Sequence, residues 1–129
     1  LIAETIRAKR PKLIVSVHSF TPRLEQHDGS ERPWEIGILY NRDARAARIG
    51  IELLEVKGIV TGDNEPYSGR ILNATMNRHA EGNGIPYLGI EVRNDLISDP
   101  EGVAHWAQLL ASIANDVRNR LAQMGSPAT

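Results

Sequence analysis

Lys12-Leu-Ile-Val-Ser-Val-His-Ser-Phe20 is a run of β-branched and aliphatic residues behind Pro11, and it ends in the polar pair His18-Ser19. An apolar run of this length, rich in Ile and Val, predicts a strand buried on both faces of a sheet. In open α/β sheets ligands bind just beyond the carboxyl ends of strands, so an imidazole at that end is placed to face a cleft. The alternative is a histidine that merely finishes a strand.

The rest of the chain alternates strand and helix patterns outward from this segment. Residues 21–34 hold two prolines, one glycine and five charged residues, the composition of a long surface loop. Glu35 to Tyr40 predicts a second strand, with Asn41-Arg42-Asp43 at a strand-to-helix turn and Asp43 as N-cap. The following helix carries Ala44, Ala47, Ile51 and Leu54 on one face and is closed by Gly58. Ile59 to Thr61 predicts a third strand, Gly62 to Gly69 a polar loop, and residues 70–81 a weak helix with Ile71, Leu72 and Met76 inward. Ile85 to Arg93 predicts a fourth strand on which Glu91 and Arg93 share a face by the period of two. The final helix is capped by Ser98 and has Pro100 in its first turn. Val103, Trp106, Leu109, Leu110, Ile113, Ala114, Val117 and Leu121 form its apolar stripe. This order predicts an α/β three-layer sandwich with a mostly parallel or mixed sheet.

Length and charge narrow the function classes. The chain has 129 residues, 41% hydrophobic content and a formal net charge of −1, as expected for one globular domain. Without a local excess of Lys and Arg there is no electrostatic footprint for nucleic acid or an anionic membrane, so a small anionic partner is expected. There are no cysteines, so any zinc must be held by His, Asp or Glu. No segment reaches the roughly 20 apolar residues of a membrane span, and a cytoplasmic location is expected. Leu1 to Lys9 reads as a helix already under way, with Ile2 and Ile6 on one face, so the chain is expected to be a portion of a larger domain.

Polar residues gather at the predicted strand ends, expected on one side of the sheet: His18-Ser19, Asn41-Arg42, Asn64 to Tyr67, and Glu91 with Arg93, with His79 close in sequence. Each has a plain structural reading. Asn41 and Asn64 suit turns, Arg42 and Arg93 suit ion pairs, Tyr67 suits packing, and His79 suits a helix end. Together they suit hydrolysis. A histidine ligates zinc, a nearby carboxylate takes a proton from water, and arginines grip an anionic substrate through forked hydrogen bonds. A catalytic zinc normally takes three protein ligands, and no HExxH or HxH spacing supplies them here.

Four stretches carry a resemblance: Val17-His18-Ser19-Phe20-Thr21-Pro22, Ile38-Leu39-Tyr40-Asn41-Arg42-Asp43, Asn64-Glu65-Pro66-Tyr67-Ser68-Gly69, and Gly89 to Leu96. As an ordered set they resemble the later half of the N-formylglutamate amidohydrolase family, from about Lys12 to the final helix. The resemblance implies a zinc-carboxypeptidase-like fold and hydrolysis of the N-formyl amide of glutamate to formate and glutamate in histidine breakdown. It implies His18 as the last metal ligand and Glu91 as the carboxylate that activates water. Asn41, Arg42, Tyr67, His79 and Arg93 are similar to positions that bind substrate or polarise its carbonyl. The family's earlier half, with its first histidine and a carboxylate ligand, has no counterpart before Leu1, so the chain alone is expected to have little or no activity. Two other readings fit the same residues: a non-catalytic α/β domain that binds a carboxylated ligand, and a related hydrolase acting on another acyl-amino acid.

Overall fold

The computed structural model describes residues 11–21, 33–65 and 79–125. Within them lie four strands, β1 (Ile14–Phe20), β2 (Ile36–Leu39), β3 (Thr61–Asp63) and β4 (Tyr87–Arg93), and two helices, α1 (Arg45–Val56) and α2 (Pro100–Gly125). The helices expected over 1–9 and most of 70–81, and most of the loop after β1, lie outside the described residues.

The strands form one sheet in the order β1-β4-β2-β3. β1 runs parallel to β4 and β2 parallel to β3, while β2 runs antiparallel to β4, so the sheet is mixed. The antiparallel pairing corrects one expectation. The carboxyl ends of β1 and β4 point to one end of the sheet and those of β2 and β3 to the other, so the polar strand ends fall into two groups. Strand direction is a long-range property that local periodicity does not carry.

One sheet face is the core. Ile36 and Ile38 of β2 and Leu88, Ile90 and Val92 of β4 alternate onto it and pack with Ala46, Ala47, Ile49 and Leu54 of α1 and Trp106, Ile113 and Val117 of α2. Burying side chains of this size contributes about 1.5–3 kcal/mol each before chain entropy is subtracted. A smaller cluster, Tyr87 and Ala80 with Ile14 and Tyr40 against them, is built around Ile14 and Tyr87, whose strand positions belong to the opposite face. Among the described residues no helix is long and apolar enough to cross a membrane.

Several local expectations shift by one or two positions. α1 buries Ala46, Ala47, Ile49, Gly50 and Leu54, with Ala44 and Ile51 only partly covered. Gly58, at φ +79°, ends the helix in the left-handed region, and Ile59 N–H then donates back to the Leu54 carbonyl at 3.2 Å. That turn consumes Ile59, so β3 starts only at Thr61. At α2 the cap is Asp99, whose Oδ1 accepts the Gly102 N–H at 2.7 Å, while the Ser98 hydroxyl donates to the Asp95 carbonyl. Val103, expected inward, is 51% exposed.

Candidate active site

His18 of β1 and Glu91 of β4 are direct partners across the parallel ladder. Opposed residues project from the same face of a sheet, and adjacent strands lie about 4.8 Å apart. The imidazole and the carboxylate are therefore neighbours on the face away from α1 and α2. The row continues through Gly37 of β2, the antiparallel partner of Glu91, to Gly62 of β3. Beyond Glu91 the next two positions thus have no side chain to crowd the carboxylate. Periodicity had shown none of this glycine row, because it depends on register between strands. His18 is exposed and Glu91 is half-buried. Carboxylate Oε2 of Glu91 is sequestered from solvent, with the residue engaged through other contacts.

Arg93 follows two positions along β4 on the same face. Its Nε donates to Asp95 Oδ1 at 2.7 Å and one terminal nitrogen to the Trp34 carbonyl at 3.4 Å. The guanidinium is thus oriented from two sides at the end of the sheet nearest His18 and Glu91.

Asn41 and Arg42 sit at the other end. Asn41 N–H donates to the Tyr87 hydroxyl at 2.7 Å, and Tyr87 lies four residues before Glu91, about 13 Å along the strand. A built polar clamp holds them there. Glu81 accepts the Arg42 N–H at 2.8 Å, the Asp43 N–H at 2.9 Å, the Tyr87 hydroxyl at 2.9 Å and the Asn41 side-chain amide at 3.2 Å. Burial opposes ionisation of Glu81, but the donors from Asp43, Tyr87, Arg42 and Asn41 outweigh it and hold the carboxyl below its usual range. Burial, and then the hydrogen bond to Glu81, push the Tyr87 phenol well up. Asp43 accepts the Arg45 guanidinium at two oxygens, 2.9 and 2.8 Å, and this lowers its own pKa. Neither residue is singled out by the sequence reading: Tyr87 shares the period of Glu91 and Arg93, a signal that could have found it, while Glu81 reads as the tail of a helix.

His79 is half-buried two residues before Glu81, and its carbonyl accepts the Asn83 side-chain amide at 2.8 Å. Asn64, at φ +56°, has a structural task. Its Oδ1 accepts the Tyr40 N–H at 2.8 Å and its own N–H reaches the Ile38 carbonyl at 2.9 Å, which ties the β3 turn to β2. Tyr67 lies outside the described residues.

Among the described residues no group of three or more His, Cys, Asp or Glu side chains is placed to hold a metal ion. The exposed His18 imidazole could serve as one donor, and among the described residues no further ligands are grouped beside it.

A mixed sheet with its helices on one face and a His–Glu pair on the other defines an α/β fold with a solved counterpart. The crystal structure of gene product Atu2144 from Agrobacterium tumefaciens matches with a TM-score of 0.83 and 32% sequence identity, over 94% of this chain and 47% of that one. The chain therefore spans about half the length of that protein. No curated protein matches. Residues 1–98 match the N-formylglutamate amidohydrolase family, and the chain belongs to that family.

Proposed function

We propose that the chain carries one part of the active site of an amide hydrolase that releases formate from N-formyl-L-glutamate. The observation that carries this reading is the His18–Glu91 pairing on one sheet face, within a chain of this family. Glu91 is the general base: it takes a proton from the attacking water and returns it to the glutamate nitrogen as the C–N bond breaks. His18 would be one ligand of a zinc ion, and such an ion would supply Lewis acidity at the water and the formyl carbonyl. Arg93, already oriented by Asp95 and Trp34, binds a substrate carboxylate near the pair. On this reading Asn41 and Arg42, on the clamped turn, and Tyr67 and His79 also contribute to substrate binding. A cytoplasmic location and a small anionic acyl-amino acid partner belong to the same reading.

Among the described residues His18 has no partner ligands grouped with it, and the 129-residue chain is expected to be silent in a formate-release assay with added zinc. A polypeptide carrying this sequence together with the rest of the domain is expected to release formate and to lose both zinc and activity on His18→Ala. Full zinc content after that substitution, or zinc-loaded protein that leaves N-formylglutamate intact while cleaving another acyl-amino acid, would overturn the ligand assignment or the substrate respectively.

A further inference from the structure

Three consecutive residues of the turn after β2 are held by one side chain. Glu81 Oε1 accepts the backbone N–H groups of Arg42 and Asp43 and the Tyr87 hydroxyl, and Oε2 accepts the Asn41 side-chain amide. Successive N–H groups aimed at one point form a concavity that holds an anion, and here the chain supplies its own. The Tyr87 hydroxyl also accepts the Asn41 N–H, so the turn is tied to β4, the strand that carries Glu91 four residues further on. Tyr87 is fully buried, which fixes that tie in place.

The same network sorts the two arginines of the turn. Arg45 is occupied: it bonds both oxygens of Asp43 and the Gly84 carbonyl at 3.2 Å. The exposed Arg42 guanidinium makes no hydrogen bond or ion pair among the described residues, and it lines a cleft of about 480 Å³ with Asn41, Asp43, Glu81 and Gly82. Both carboxylates of this cleft are engaged, Asp43 by Arg45 and Glu81 by its four donors, so neither is left to pair with Arg42. An arginine kept free in this way retains its forked donors for a carboxylate.

We infer that Glu81 is a positioning residue for substrate binding: by seating the Asn41-Arg42-Asp43 turn on Tyr87, it presents Arg42 rather than Arg45 to a carboxylate of the substrate. Glu81 acts through the backbone of the turn. Arg42 as a substrate ligand belongs to the proposed function, on which this role of Glu81 rests.

Calorimetric binding of N-formyl-L-glutamate to the metal-free polypeptide that carries this sequence and the rest of the domain tests the role without turnover. Arg42→Ala and Glu81→Ala are each expected to weaken binding about tenfold or more, the usual worth of a charge-assisted contact. The double variant is expected to bind no worse than Arg42→Ala, since Glu81 acts through that arginine. Glu81→Gln, which keeps one acceptor oxygen for the two N–H groups, is expected to recover most of the loss. Val117→Ala, in the core on the helix side of the sheet, is the control for general destabilisation and is expected to bind like wild type. In the zinc-loaded protein the same losses are expected in KM, with kcat little changed. Absence of binding by the wild type, or unchanged affinity in Arg42→Ala, would overturn the substrate reading and the role of Glu81 together. A loss in Arg42→Ala without one in Glu81→Ala, additive losses in the double variant, no recovery in Glu81→Gln, or an equal loss in Val117→Ala would overturn the role of Glu81 alone.

Discussion

Tyr87 and Glu81 show how much of a turn's shape can rest on groups outside it. Glu81 gathers four donors and Tyr87 is fully buried beside it, so the Asn41-Arg42-Asp43 turn is held by charge-assisted hydrogen bonds rather than by its own propensity. Glu81→Gln keeps the shape but loses the charge, and is expected to cost about 1–2 kcal/mol at neutral pH in urea unfolding. The sign with pH follows from the depressed pKa of Glu81. Its contribution is complete above the unfolded carboxyl value of about 4.3 and is lost as pH falls through the lower folded value. The wild-type advantage over Glu81→Gln should therefore shrink on acidification below about pH 4 and stay constant from pH 6 to 8. A difference that grew as pH fell would contradict the clamp. Tyr87→Phe is expected to cost a similar amount, because Asn41 N–H and Glu81 each lose a buried partner.

At the scale of elements, what was legible was whatever depends on neighbours in sequence. The strand over Ile14–Phe20, the Gly58 stop and the Trp106-Ile113-Val117 stripe of α2 each follow from a local period or a local φ requirement, whereas the burial expected on both faces of β1 is not found, Phe20 being its one buried residue. The direction of β2, the glycine row beside Glu91 and the exposure of Val103 depend on partners far along the chain, so no window of residues contains them. The α2 cap lies between these cases. Asp99 and Ser98 both suit an N-cap, and only the approach of residues 94–97 decides between them: Ser98 turns back to the Asp95 carbonyl and leaves Asp99 to the helix. The same approach explains Gly102, where a Cβ would stand 2.2 Å from the Leu96 carbonyl oxygen. Asp99→Ala is expected to cost about 1 kcal/mol and to lower the melting temperature by about 4 °C, with Ser98→Ala well below that. A larger loss from Ser98→Ala than from Asp99→Ala would place the cap at Ser98. Gly102→Ala should be worse than either, since backbone must move to admit the methyl group.

For the whole molecule, the described sheet packs α1 and α2 against one face, and the candidate site lies on the other face, where β1 runs beside β4. Family, strand order and the His18–Glu91 pair come together there, and on the proposed reading the pair would supply one metal donor and one base. The ordered motifs made the family legible in the sequence, while the separation of Asn41-Arg42 from Glu91 by the length of β4 was not. The most direct test is kinetic, on a zinc-loaded polypeptide that includes this sequence and the rest of the domain. Glu91→Gln should lower kcat for formate release from N-formylglutamate by about 10²–10⁴, the usual worth of a general base, with zinc content and KM little changed. A Glu91→Gln protein that turns over at close to the wild-type rate would contradict the account.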